Sequence, residues 1–206
     1  SQVGQVATVQ GTATVTRGAA SAIGLRVSDP IFRNDTIATG AASSLGITFD
    51  DQTTFNLSAN TRIVVNDFVY QEAGRPNAAA FSIALGTAAF VASLVAKTGD
   101  MKITTPVATL GIRGTTGIID VPQEGAGGGG TGGVGGAGGE PRIKLYADAD
   151  GHLGRIEVFN PQGRRLGILT QGASAFALRP GAGGQLEAVP FRIPSEEAAR
   201  DRGLLQ

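Results

Sequence analysis

Residues 7–16 read Ala7-Thr8-Val9-Gln10-Gly11-Thr12-Ala13-Thr14-Val15-Thr16, with small or apolar side chains at the odd positions and polar ones at the even positions. A period of two sends alternate side chains to opposite faces, so this stretch predicts a half-buried strand or hairpin. Outward from it, similar short runs recur at Leu45-Gly46-Ile47-Thr48-Phe49, Thr54-Phe55-Asn56-Leu57, Arg62-Ile63-Val64-Val65, Met101-Lys102-Ile103-Thr104 and Gly117-Ile118-Ile119-Asp120-Val121. Turn formers separate them, among them Gly18, Asn34-Asp35, Gly40, Asp50-Asp51, Asn60, Gly74 with Pro76, Gly99-Asp100 and Pro106. Many short strands at near-regular spacing predict an all-β architecture, either a β-sandwich or roll or a solenoid-like stack.

Beyond residue 141 the pattern resumes at Arg142–Tyr146, Arg155–Phe159, Leu166–Leu169 and Ala175–Leu178. Asp148-Ala149-Asp150-Gly151 and Asn160-Pro161-Gln162-Gly163 make the turns, the second with Pro and Gly where a type I turn prefers them. This predicts a C-terminal antiparallel β-meander. Residues 195–200, Ser-Glu-Glu-Ala-Ala-Arg, predict a short capped helix with a Glu196/Arg200 pair, frayed at the chain end.

Two stretches need separate treatment. Pro76–Ala96 is 21 residues long without a charge, yet it is Ala-rich and carries Asn77, Ser82, Gly86, Thr87 and Ser93, too polar for a membrane span. It reads as a strand at Phe81–Leu85, a turn at Gly86-Thr87, a strand at Ala88–Val91 and a helical turn up to Lys97, with one buried helix as the alternative. Residues 125–139 hold 11 Gly in 15 positions, between two strands that otherwise form one hairpin, Gly117–Val121 and Arg142–Tyr146. Such a segment has almost no side chains to bury and predicts a flexible loop. The chain therefore divides into a β module at 1–122, a Gly-rich loop at 123–141, the meander at 142–190 and a tail at 191–206.

Composition narrows the function. With 17 Lys+Arg against 17 Asp+Glu, the 206-residue chain has no net positive field to hold nucleic acid. It has no Cys, which excludes a disulfide scaffold, a cysteine-ligated zinc site and an iron–sulfur centre. At 41% hydrophobic residues it can still bury roughly 70% of its unfolded surface. Residues 1–20 show neither a basic n-region nor a continuous apolar run. The expectation is a mature terminus left by removal of an export signal.

The stretches Gly4-x-Val6-x-x-Val9-x-Gly11-x-Ala13-x-Val15-x-Arg17, Asn34-Asp35-Thr36-Ile37-Ala38-Thr39-Gly40, Ile47-Thr48-Phe49-Asp50-Asp51 and Phe68-Val69-Tyr70 belong together with Thr105-Pro106-Val107-Ala108-Thr109-Leu110-Gly111-Ile112-Arg113-Gly114-Thr115. Over about residues 3–122 this set resembles the FecR (ferric citrate regulator) domain family. Gln52 stands where that family usually has Gly. The resemblance implies an extracytoplasmic, β-rich, non-enzymatic module, with Thr105, Pro106, Gly111, Arg113, Gly114 and Thr115 as motif residues of structural role. The best-known family members are membrane-spanning anti-sigma regulators that carry an outer-membrane receptor's iron-siderophore signal inward. Others are exported stand-alone or multidomain surface proteins, and this chain is similar to those.

The inventory for chemistry is thin. His152, the sole His, follows Asp148 and Asp150, but Gly151 comes too early for a calcium loop and no Glu closes one. Asp50-Asp51 likewise reads as a turn. Gly172-Ala173-Ser174-Ala175-Phe176 breaks the nucleophile-elbow pattern at its last position, and the Gly-x-Gly-x-x-Gly matches within the glycine tract lack the strand–helix context of a phosphate cradle. No catalytic residue, metal ligand or cofactor is assigned. Arg113, between Gly111-Ile112 and Gly114-Thr115, is expected to be a buried, internally paired guanidinium, with bidentate binding of a carboxylate ligand as the alternative.

With only three Lys (Lys97, Lys102, Lys144), the chain has little of the usual defence against edge-to-edge strand pairing. The function expected is that of an exported, non-enzymatic protein, periplasmic or at the cell surface. It would dock onto itself, as a homo-oligomer or polymer, or onto another cell-envelope protein. Gly127, Gly128, Gly129, Gly130, Gly132, Gly133, Gly135 and Gly136 form its candidate interaction loop. The alternative is a periplasmic sensory module relaying an iron-siderophore or similar signal.

Overall fold

The computed structural model describes residues 1–123 and 139–205. Among these, the strands in chain order are β1 (Gln2–Gln10), β2 (Ala13–Thr16), β3 (Ile23–Gly24), β4 (Pro30–Phe32), β5 (Thr36–Thr39), β6 (Ser44–Phe49), β7 (Thr54–Leu57), β8 (Arg62–Val69) and β9 (Ala78–Val91). After helix α1 (Leu94–Thr98) come β10 (Asp100–Thr104), β11 (Thr109–Arg113), β12 (Thr116–Val121), β13 (Arg142–Tyr146), β14 (Arg155–Phe159), β15 (Arg165–Leu169), β16 (Ser174–Pro180) and β17 (Leu186–Arg192), and then helix α2 (Ser195–Leu204). The chain is all-β, as its period-two runs predict.

Pairing sorts the strands into two sheets. Sheet I runs β4-β1-β6-β7-β9-β12-β13-β16-β17. Sheet II runs β3-β2-β5-β8-β9-β10-β11-β14-β15. Aromatic rings from the two sheets interlock between them: Phe49 of β6 stacks on Phe68 of β8 with centroids 5.2 Å apart, and Phe55 of β7 lies 4.5 Å from Phe81 of β9. Each such buried ring contributes about 2–3 kcal/mol of apolar burial, and each ring pair about 0.5–1.5 kcal/mol more. The architecture is a sandwich with its main core between the sheets.

Strand β9 belongs to both sheets, which corrects the turn expected at Gly86-Thr87. Its first half, Ala78–Leu85, pairs with β8, and its second, Gly86–Val91, pairs with β12. The chain bends there without reversing. Gly86 has φ +96°, and a Cβ would stand 2.2 Å from Thr61 Oγ1 and 2.5 Å from Thr61 Cα, so only glycine lets the two strands meet at this corner. After α1, the helical turn expected before Lys97, β10 returns parallel to β9 with Asp100 opposite Ala78, a coil of 22 residues. The solenoid-like alternative is thus realised as a single rung within a sandwich.

Other stretches also refine the expectations. The alternating run at 7–16 spans a corner: β1 pairs in sheet I and β2 in sheet II, and a bulge between Val6 and Thr8 shifts the phase of alternation in β1. The C-terminal strands are antiparallel as expected, but their neighbours are not always consecutive. β13 pairs with β12 and β16, while β14 pairs with β11 and β15, so the turn at 148–151 carries the chain from one sheet to the other. A further strand, β17, crosses Pro190 at the edge of sheet I, where a missing N–H costs no ladder bond.

The tail is not frayed. Helix α2 lies on the outer face of sheet I, where Ala198 joins Ala89, Ile118, Tyr146, Ala175 and Ile193 in a second apolar cluster. That cover explains why every residue of β12 is buried and why Ile118 and Ile119 stand side by side in the sequence.

Candidate functional site

The motif residues build two turns. In the β10–β11 hairpin, Thr105 Oγ1 accepts hydrogen bonds from the N–H groups of Ala108 (3.1 Å) and Val107 (3.3 Å), while its own N–H donates to the Ala108 carbonyl at 2.8 Å, with Pro106 inside the turn. At the other end of β11, Gly114 (φ +43°) and Thr115 carry the chain from sheet II to sheet I. Buried Thr115 donates to the Tyr146 carbonyl at 3.2 Å, and its own carbonyl accepts from Ala92 N–H at 3.0 Å. Gly111 lies on the outer face of sheet II, where a Cβ would meet only ordinary contacts at 3.8–4.0 Å.

Arg113 departs from expectation. Its side chain is 50% exposed and, among the described residues, has Asp100 as its only ion-pair partner, at 3.8 Å, because Arg113 falls on the solvent face of β11 while Leu110 and Ile112 take the core face. The architectural guanidinium is instead Arg17. Its Nε and Nη2 lie 3.0 and 3.2 Å from the two oxygens of buried Asp35, and Nη2 also reaches the Pro30 carbonyl at 2.8 Å. The plane of Arg17 rests over the Phe32 ring at 4.7 Å, and Asp35 accepts the Phe32 N–H as well.

Around the exposed Arg113 lies an open cleft of about 630 Å³ at the end of sheet II. Lys97 from α1, Arg113 at the end of β11 and Gly114 after it, His152 before β14 and Arg155 at its start, and Thr170 after β15 line it. His152 sits on a turn whose carboxylates are engaged locally: Asp150 accepts the His152 N–H at 2.9 Å, and Asp148 accepts the Thr116 hydroxyl at 2.7 Å. Among the described residues no three His, Cys, Asp or Glu side chains gather into a metal-holding group.

Next to the cleft, β15 forms one edge of sheet II. The other edges of the sandwich are blunted: β3 is two residues long, β4 is three and opens on Pro30, and β17 contains Pro190. β15 offers five residues without Pro, paired only to β14 among the described residues, with Ile168 36% exposed. The glycine positions from Gly127 to Gly136 lie outside the described residues.

Sequence reasoning missed two buried polar groups. Asp51, fully buried, accepts from Thr53 N–H (2.9 Å), Thr53 hydroxyl (2.8 Å) and Val95 N–H (2.9 Å), tying the β6–β7 turn to α1. Between them, Gln52 takes φ +79°, which gives a physical reason for the family's usual Gly. The second group is under α2. Lys144 Nζ lies 2.8 Å from Glu197, 3.1 Å from Asp201 and 3.7 Å from Asp120, and the Tyr146 hydroxyl donates to Asp201. Asp120 accepts the Thr87 hydroxyl at 2.7 Å on one oxygen, while its other oxygen has no hydrogen-bond partner. Burial raises the Asp120 carboxyl above its ordinary value, with Lys144 opposing in part. Burial also works to depress Lys144, but its close ion pair with Glu197 and the charges of Asp120 and Asp201 outweigh that and hold it raised. The available signal was a charge set between apolar neighbours in each of two paired strands, Asp120 between Ile119 and Val121 and Lys144 between Ile143 and Leu145.

In comparison with known proteins, residues 35–128 match the model of the FecR protein family. No curated protein matches the chain. Two crystal structures of a candidate anti-sigma factor from Parabacteroides distasonis, at 1.65 and 2.50 Å resolution, each superpose with a TM-score of 0.54 at 11% identity. The match covers 80% of this chain and 62% of that one, and at this identity it is a likeness of fold. No helix among the described residues is long and apolar enough to cross a membrane. From β5 through β12 the strands lie within the matched range, on both sides of the aromatic core. The chain carries a FecR domain, and the strands before and after it extend the same two sheets.

Proposed function

We propose that this chain is an exported, non-enzymatic docking module of the bacterial cell envelope, which engages a second copy of itself or another envelope protein by strand addition. The FecR domain supports the envelope setting, and the edge of β15 carries the docking reading. An unpaired, Pro-free edge with an exposed Ile offers a row of backbone donors and acceptors to an extended partner segment. The glycine-rich stretch at 125–139 is a second candidate contact. The test is native mass spectrometry with light scattering on the full chain and on Ile168→Lys, which places a charge on the edge without entering the core. Concentration-dependent dimers or polymers in the parent, reduced to monomer in the variant, support docking between copies. An oligomer that survives Ile168→Lys removes β15 as the docking edge.

A second reading, a sensory module that relays an iron-siderophore or similar envelope signal to a regulatory partner, draws support from the fold shared with the candidate anti-sigma factor. A parent protein that stays monomeric at high concentration favours this reading over docking between copies.

A further inference from the structure

Arg113 and Arg155 stand directly opposite each other at the last rung of the β11–β14 pairing, both on the outer face of sheet II. Like charges in that position repel across a few ångströms, and the arrangement weakens the sheet unless something neutralises it. The protein's own carboxylates do so poorly. Asp100 lies 3.8 Å from Arg113 and is itself 76% exposed, and Glu157 lies 3.8 Å from Arg155 while nearer, at 3.4 Å, to Arg165. Lys97, the third cation, has no carboxylate within 4 Å among the described residues.

These three cations border one space. Lys97, Arg113 and Arg155 line the 630 Å³ cleft together with His152. Gly114 keeps it clear: a Cβ there would stand 3.0 Å from Lys97 Cγ and 3.9 Å from His152 Nε2, so the missing side chain leaves the gap into which both project. Gly154 lets the two walls close up, since a Cβ at that position would stand 1.7 Å from the Arg113 carbonyl oxygen. Two planar guanidinium forks and an ammonium around an open gap match a ligand with two acidic groups better than a single monovalent ion.

We propose that the Arg113–Arg155 rung, with Lys97 and His152, is a binding site for a small dianion bearing carboxylate or phosphate groups. The bound anion takes the neutralising role that Asp100 and Glu157 fill only loosely. The site lies at the end of the sheet, beside β15 but separate from its edge, so its occupancy does not depend on the docking reading.

Isothermal titration calorimetry of the full chain tests this, with pyrophosphate as the phosphate probe and glutarate as the carboxylate probe, each against sodium chloride at matched ionic strength. Saturable 1:1 binding of either probe is expected, and the stronger of the two names the source. Arg113→Gln and Arg155→Gln, both at exposed positions, should each weaken binding at least tenfold. Arg26→Gln, a surface cation outside the cleft, should leave it unchanged. Absence of saturable binding by both probes overturns the proposal. So does equal weakening by Arg26→Gln and Arg113→Gln, which would mark a diffuse charge effect.

Discussion

Arg17 and Arg113 are chemically identical and lie in comparable glycine-marked motifs, yet the fold assigns them opposite duties. Arg17 neutralises a buried carboxylate and Arg113 faces water. Replacing Arg17 by Ala strands Asp35 without its counter-charge. With Arg17 itself about a third exposed, the expected loss is about 2–3 kcal/mol, below the range for fully buried pairs. Arg113→Ala should change stability by less than about 1 kcal/mol, since the loss of its exposed pair with Asp100 is offset by relief of the repulsion from Arg155. Urea melts of the two variants check the contrast, and equal losses would refute it. Sequence gave Arg113 its glycine neighbours but could not show which strand face it takes, nor that Asp35, 18 residues after Arg17, closes back on it. Gln52 was more legible, because a residue replacing a usual Gly points to a backbone that asks for one. At φ +79° a Gln side chain is strained by about 1–2 kcal/mol, against about 0.5–1 kcal/mol of added chain entropy for glycine. Gln52→Gly should therefore raise stability by about 0.5 kcal/mol in the same melts.

Among elements, α2 is held by charge more than by apolar contact, since only Ala198 and Asp201 of its ten residues are buried. Lys144 is the hub. Its raised value means that its contribution is complete below its ordinary 10.5 and is lost as pH climbs through the folded value. Tyr146, raised by burial and by its bond to Asp201, loses stability in the same direction above 10.0. On the acid side the groups oppose each other. Burial lifts Glu197, but Lys144 and Arg142 more than offset this and hold it low, so its contribution fades as pH falls below 4.5. Asp120, raised, takes up its proton more readily in the folded state and counters that fade. Thermal melts should show a shallow acid limb and a steeper fall above about pH 10.5. Lys144→Met should cost about 3–5 kcal/mol at neutral pH by stranding the carboxylates around it, and should flatten the alkaline limb. An alkaline limb of unchanged slope in that variant would assign the fall to other groups. The hairpin across the glycine-rich stretch was readable from sequence, and Asp120 does pair with Arg142. Deleting residues 125–139 shortens the β12–β13 connection from 20 residues to 5, two halvings worth about 0.6 kcal/mol each. The variant should keep its circular dichroism and gain about 1 kcal/mol. Unfolding of the shortened chain would refute a purely connecting role in the fold.

For the whole molecule, the decisive feature is that β9 is one strand in two sheets. Its identity was hidden in the sequence because Gly86-Thr87, between apolar runs, has the composition of a turn, and composition does not distinguish a reversal from a bend between layers. The consequence is cooperative. A strand that pairs with β8 and β10 in one sheet and with β7 and β12 in the other cannot lose its partners on one side and keep its geometry on the other. The aromatic core, filled from both sheets, enforces the same coupling. The two tyrosines report on it separately: Tyr70 directly follows β8 in sheet II, and Tyr146 ends β13 in sheet I. In a Tyr146→Phe variant the fluorescence of Tyr70, and in a Tyr70→Phe variant that of Tyr146, should show the same urea midpoint as circular dichroism of the same protein. Gly86→Ala drives a methyl group into Thr61 and imposes a residue with a side chain at φ +96°, so it should lower stability by about 3 kcal/mol or more. Both tyrosine midpoints should then move by the same amount. A midpoint that shifts for one tyrosine and holds for the other would show that the sheets unfold independently, and that the bend at Gly86 joins two units instead of making one.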